Sequence, residues 1–338
     1  MRRLSRAAVA ALLSLLGARA EAQPDPTLNA VRARDAVVCG VGGQTPGFAA
    51  PDSGGTLRGL EVDSCRAIAA AVLGDPDKAR FRLLLPALRL SALQSGEVDV
   101  LFANTTWTLG REANLGAQWA SITFFDGQAF LVRRALGVAS AAQLDGATIC
   151  MLSGGTSELN VTDWFRARNL RFAPVLIENG AELRTAFLAG RCDAMTNDSS
   201  ALASFRSTLG DRREDYVLLP EIISNEPLGA AVRKGDGKWF DIVRWTHYAL
   251  VTAEALGVTR DTLDAARRST NPSVQRLLGV SGGLGGQLGL HDDWAARALR
   301  ATGNFGEIWE RHVTPLGVTR GPNRIWTEGG LQYAPPMR

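Results

Sequence analysis

An α/β protein of two units is predicted by three observations. Short β-branched strands alternate with apolar helices along the chain, which indicates parallel-type sheets covered by helices. Polar residues collect where several of these strands end, and open α/β sheets bind ligands outside the carboxyl ends of their strands. The chain is also too long for one core: its 338 residues, or about 316 after loss of a leader, exceed the roughly 250 to 300 at which single cores stop growing.

Taken in order, Val37 to Val41 reads as a strand, and Gly42, Gly43, Pro46 and Gly47 turn the chain after it. Leu57 to Leu73 passes from a strand edge into an apolar helix. Phe81 to Leu85 is a second strand, Leu90 to Ser95 a helix, and Val98 to Phe102 a third strand. A second pattern of the same kind follows Arg133-Arg134. It holds strands at Thr148–Leu152, Val175–Ile177 and Cys192–Thr196, with helices from Ser153-Gly154-Gly155-Thr156 through Trp164 and over Glu182–Leu188. Val217–Leu219 and Pro220 close that half. Ala230 to Lys234 resumes an extended run, and Lys238 to Leu256 is a long helix. Ser281 to Leu290 is a glycine-rich loop that lacks GxGxxG spacing.

The first residues carry Arg2, Arg3 and Arg6, then an apolar run from Ala7 to Leu16, then alanines at 18, 20 and 22. This is the pattern of an export signal over residues 1–22, cleaved after Ala22 or, as a second choice, Ala20. A retained anchor is the alternative, but the run is shorter than the 20 or so residues a bilayer requires. The chain has 37 basic and 34 acidic residues; cleavage removes four arginines and one glutamate and leaves 33 of each. A charge near zero offers no field for nucleic acid or an anionic membrane.

Four cysteines remain in a chain bound for an oxidising compartment, so disulfides are expected. Three pairings are possible, and spacing favours Cys39–Cys65 with Cys150–Cys192. There is no CxxC, and the three histidines are scattered, so neither a metal site nor a cofactor is expected.

The stretch from Arg89 to Phe125 carries the chemistry. A buried strand opens into Asn104-Thr105-Thr106, with Arg111 five residues on: an amide, hydroxyls and a guanidinium grouped to hold an oxyanion. Arginine's planar fork suits a carboxylate. The bland readings are an exposed Arg111 paired with Glu112, an Asp198 that merely caps the next helix, and a Thr156 that does the same. Trp107 and Trp164 are read as packing residues. An enzyme would need a tuned acid or base, and the candidates here include no histidine. A secreted dehydratase or lyase acting on an amino-acid-like substrate is nonetheless the rival class. The GxSxG string at Gly279–Gly283 lacks a strand-to-helix elbow. A ligand-sensing partner of a membrane receptor is a third class.

At this level of detail the chain resembles the periplasmic solute-binding proteins of ABC transporters for polar amino acids (bacterial solute-binding protein family 3), in particular the general L-amino-acid-binding branch. The segments that carry the likeness are LEVDSCRAIAAAVLGDPDK at 60–78, ALQSGEVDVLFANTTWTLGRE at 92–112, SGGTSEL at 153–159, GRCDAMTNDSSAL at 190–202 and the ending IWTEGGLQYAPPMR. The cysteines also fall where that branch carries them. The resemblance implies a type II periplasmic binding protein: lobe 1 over 36–132 plus 229–338, lobe 2 over 137–224, and hinges near Leu131–Arg134 and Leu219–Gly229. It further implies a monomer that binds an L-amino acid, closes around it and delivers it to ABC permease subunits. Arg111, Thr106, Asn104 and Thr156 then match the groups on the ligand α-carboxylate, and Asp198 the acceptor of the α-ammonium. Relatives often place an acid and an aromatic in the first loop. Here Gly42 to Phe48 contains no acid, and Leu85-Pro86-Ala87 stand where a stacking aromatic is common. Arg89 is read either as a surface charge or as a contact for a distal carboxylate that favours glutamate or aspartate.

Overall fold

The computed structural model describes residues 25–338, so the leader expected over residues 1–22 lies outside the described residues. Twelve strands among them are β1 (Val37–Val41), β2 (Ala50–Pro51), β3 (Leu57–Arg58), β4 (Ala79–Leu83), β5 (Val100–Leu101), β6 (Ala117–Asp126), β7 (Gln128–Arg133), β8 (Thr148–Leu152), β9 (Ala173–Ile177), β10 (Ala194–Asp198), β11 (Tyr216–Leu218) and β12 (Glu226–Arg233). They form two five-stranded sheets, ordered β4-β1-β5-β12-β6 and β11-β7-β10-β8-β9, plus the small pair β2-β3. Each sheet has its own apolar core, which makes this the two-lobed α/β fold. No helix among the described residues is long and apolar enough to cross a membrane.

Both sheets are mixed rather than purely parallel. β4-β1-β5 and β9-β8-β10 are the parallel parts, built through crossover helices. The strands that enter from the other lobe, β12 and β7, pair antiparallel to them. Those strands also move one boundary. β7, which an end of lobe 1 at 132 would place in that lobe, pairs with β10 and β11 of the second sheet. The first crossing therefore lies at Gly127, between β6 and β7, and not at Leu131–Arg134. Asp126-Gly127 is itself a turn signal, but the apolar residues on both sides give no sign that the chain changes sheet there. The return crossing falls at 224–226, inside the expected 219–229, and brings Glu226 opposite Asp126 in the β12–β6 ladder.

Local chemistry explains the best-defined joints. The helix Leu60–Leu73 begins after Gly59 at φ 139°, where a Cβ would lie 2.0 Å from the Phe48 carbonyl oxygen, so only glycine fits. It ends at Gly74 in the left-handed region, as helices commonly do. Its alanine-rich face packs on the first sheet and, on its other side, on the helix Trp294–Thr302.

The chain after residue 258 adds to lobe 1 and fastens its hinge strand. The Asn323 side chain accepts from Phe125 N at 2.7 Å and donates to Phe125 O at 2.9 Å, and Gln332 donates to Ile122 O. Gln332 also meets His247 at 3.0 Å. Burial brings that imidazole down to about 4, so it is a neutral core histidine.

Disulfides join Cys39 to Cys65 and Cys150 to Cys192, one in each lobe. They close sequence separations of 26 and 42 residues. Loops of that size contribute about 3 to 4 kcal/mol each in the chain-entropy model. Reduction is therefore expected to lower the melting temperature by many degrees, and a melt unchanged by reductant would contradict the stabilising role.

Candidate functional site

The loop after β5 departs from ordinary backbone. Ala103 and Asn104 both take positive φ, 53° and 47°. Two successive non-glycine residues in the left-handed region are strained, and such strain gathers at functional sites. The conformation is held by Glu61, which lies on the helix Leu60–Leu73 and accepts from the Asn104 N–H. Thr108 then caps the short helix Leu109–Asn114 by accepting from Arg111 N. This sets Arg111 on the first turn, where its Nη1 donates to the Thr106 carbonyl at 2.8 Å. Glu112 is engaged elsewhere, by Trp107 Nε1.

Across the interface, the lobe 2 groups come from two helix starts. Thr156 precedes the helix Ser157–Arg166, and its side chain does not cap that helix. Asp198 ends β10 and precedes the helix Ser199–Ser207, again without a side-chain cap bond. Asp126 takes over the capping: its carboxylate accepts from Ser199 Oγ at 2.7 Å and from Ser200 Oγ and N. Asp198 is thereby released toward the cleft. It is 7% exposed, and no side-chain hydrogen bond to it occurs among the described residues.

These groups meet in a cavity of about 60 Å³ lined by Arg89, Asn104, Thr106, Arg111, Thr156 and Asp198 among others. All six residues singled out in the sequence thus lie together. Arg89 is no surface charge: its Nε is buried without a partner. Burial brings its guanidinium down to about 10, against the opposing pull of Glu61. Arg111 is lowered by burial as well, with Glu226 and Asp198 opposing. Asp198 is pushed well above the carboxylate range by burial first, then by Asp126 and Glu226, while Arg89 and Arg111 pull the other way. Burial pushes Glu61 up to about 7.

Glu226 is the residue that sequence reasoning missed. Its buried carboxylate accepts from Thr106 Oγ1 of lobe 1 and from Thr156 Oγ1 (3.3 Å) and Asn160 Nδ2 (2.6 Å) of lobe 2. Ser224 Oγ completes the set at 2.7 Å. The two threonine hydroxyls expected on a ligand carboxylate are therefore given to an internal one. What remains for an anion is the Arg111 fork and the backbone N–H groups of Thr106, Gly155 and Thr156, which have no partner among the described residues. A lone glutamate between Asn225 and Pro227 carried no signal; only the crossing of the chain between lobes gives it neighbours.

One lobe therefore offers cationic guanidinium, the other a carboxylate, and both face one small enclosed space. This is the arrangement of a two-lobed binding protein for a zwitterion rather than of a catalytic centre. The comparisons agree. The family model "Bacterial extracellular solute-binding proteins, family 3" matches residues 37–258. The chain is 48% identical over 341 residues to the General L-amino acid-binding periplasmic protein AapJ of Rhizobium johnstonii, covering 99% of each chain. It is 48% identical over 332 residues to the Glutamate/glutamine/aspartate/asparagine-binding protein BztA of Rhodobacter capsulatus, with 97% of each covered. Among solved structures, an ABC transporter periplasmic binding protein from Brucella ovis with glutathione bound superposes with a TM-score of 0.89 at 46% identity, covering 92% of this chain and 99% of that one. The chain belongs to the bacterial extracellular solute-binding proteins, family 3. The family is one of binding proteins, and the enzyme reading is set aside.

Proposed function

We propose that the protein is a periplasmic receptor that captures L-amino acids and, as a monomer, hands them to an ABC permease. The observation that carries this is the division of charge between lobes. Arg111 and the Thr106 N–H of lobe 1, joined by the Gly155 and Thr156 N–H groups of lobe 2, suit an α-carboxylate, and Asp198 of lobe 2 suits an α-ammonium. Neither lobe alone satisfies both charges, so the ligand stabilises the closed form, as in hinge-closing receptors. Relatives named for general, acidic and amide amino acids support the ligand class, and the Brucella ovis relative extends it to a γ-glutamyl peptide that bears the same head group.

The test is a thermal-shift screen of the mature protein against the common L-amino acids. A ligand that binds only the native state at 100 times its Kd adds about 2.7 kcal/mol. Acidic and amide L-amino acids are expected to raise the melting temperature, and glutarate, which lacks the ammonium, is not. A flat response to every amino acid would overturn the reading.

Asp198 makes a pH prediction. The free protein holds a proton on it above the usual carboxylate range, whereas an ammonium ligand demands the ionised form. Binding below that raised pKa must expel the proton, so affinity should fall as pH falls, by up to about tenfold per unit. Calorimetry in buffers of different ionisation enthalpy should register proton release, and Asp198→Asn should abolish it.

A further inference from the structure

The small site opens at Arg89 into a second, larger space between the lobes, about 440 Å³, which shares Thr45, Pro86, Arg89, Leu152, Asn197 and Ala201 with it. At roughly 30 Å³ per water, this has room for on the order of fifteen heavy atoms, more than any coded side chain brings. Its walls are mixed, with apolar Leu85, Leu183 and Phe205 beside amide-bearing Gln44, Asn179 and Asn197. Two arginines line it and no carboxylate does. Arg184, on the helix Gly180–Leu188 of lobe 2, donates to the Gln44 carbonyl at 3.2 Å. Neither Arg184 nor Arg89 joins an ion pair among the described residues.

Both guanidinium groups approach one loop of lobe 1. Arg89 Nη2 lies 3.8 Å from the Cβ position of Gly42, while Arg184 bonds the backbone at Gln44. Two residues of chain separate those points, a span of at most about 7 Å. The volume beyond Arg89 suits one or two further amino-acyl units, and Arg184 lines it.

We infer that the larger cavity is a second subsite that takes the carboxy-terminal part of a γ-glutamyl di- or tripeptide. This rests on the proposed amino-acid reading of the small site. The glutamyl head sits on Arg111 and Asp198, Arg89 donates to the γ-carbonyl oxygen, and Arg184 receives the terminal carboxylate. A peptide amide chain suits walls that hold both apolar groups and amide side chains, and an anionic end suits a cavity with two unpaired cations. The same field disfavours lysine and arginine as ligands.

The experiment uses calorimetry on the mature protein with L-glutamate, γ-glutamyl-glycyl-glycine and the C-terminal amide of that peptide. These probes carry no thiol and leave the two disulfides intact. The free acid is expected to bind more tightly than its amide by about tenfold or more, as one charge-assisted contact dictates. In Arg184→Met that preference is expected to shrink to within about threefold. The variant also loses a bridge between lobes, so the acid-to-amide ratio is read rather than affinity itself. Equal binding of acid and amide by the unmodified protein overturns the role of Arg184. Binding of glutamate without either peptide overturns the subsite and leaves the amino-acid reading intact. Binding of none of the three, nor of any other amino acid, overturns that reading and the subsite with it.

Discussion

Arg111→Ala is expected to weaken every L-amino-acid ligand by at least tenfold, whatever its side chain. The guanidinium is half-buried, held by the Thr106 carbonyl at 2.8 Å, and aimed into the cavity it shares with Asp198. A charge-assisted hydrogen bond contributes about 1.5 to 3 kcal/mol, and 1.4 kcal/mol is a factor of ten, so a two-pronged contact places the loss between tenfold and several hundredfold. The effect should be uniform because the α-carboxylate is common to all these ligands. Arg111→Lys keeps the charge without the fork and is expected to fall between the two. Calorimetric affinities that stay the same in Arg111→Ala would remove this residue from the site.

The second large effect is expected at Glu226, and it falls on the fold as well as the site. Four donors converge on its buried carboxylate: Thr106 from lobe 1, Thr156 and Asn160 from lobe 2, and Ser224 from the crossing itself. Truncation to alanine leaves those donors facing each other without an acceptor and takes an anion away from Arg111. Leaving buried donors without their acceptor costs about 1 to 3 kcal/mol. A drop of that size in unfolding free energy, read from the urea midpoint, is the expected outcome, with all ligands weakened together because the lobes lose their internal tie. Glu226→Gln retains one acceptor oxygen and should lie between wild type and alanine. A urea midpoint that does not move in Glu226→Ala would show that the tie contributes nothing.

Residues whose role depends on local chemistry were legible in the chain itself. Arg111, Thr106 and Asn104 follow a strand end within about ten residues, and Thr156 and Asp198 stand at helix starts that glycine and serine announce. The structure brings all of them, with Arg89, to one cavity. Which groups actually use their side chains there was not legible. Thr106 and Thr156 spend their hydroxyls on Glu226, and Asp198 is free only because Asp126, 72 residues earlier, caps its helix. From sequence Arg89 reads more readily as a surface charge, since exposed arginines are the common case. Its Nε is buried beside Glu61 and Gly42, which are distant in sequence.

The sequence by itself determined the α/β class, most of the strand and helix order outside residues 103–133, the disulfide pairs and the family, because periodicity, turn residues, cysteine spacing and motif segments are local properties. Only the tertiary structure decided where the chain changes lobes, that Gly127 rather than Leu131–Arg134 is the first crossing, that Glu226 bonds to both lobes, and that Arg184 lines the space between them. Those outcomes depend on pairing between strands 100 residues apart, as in Glu226 opposite Asp126, and on two lobes meeting face to face. No window of sequence contains both partners of such a contact.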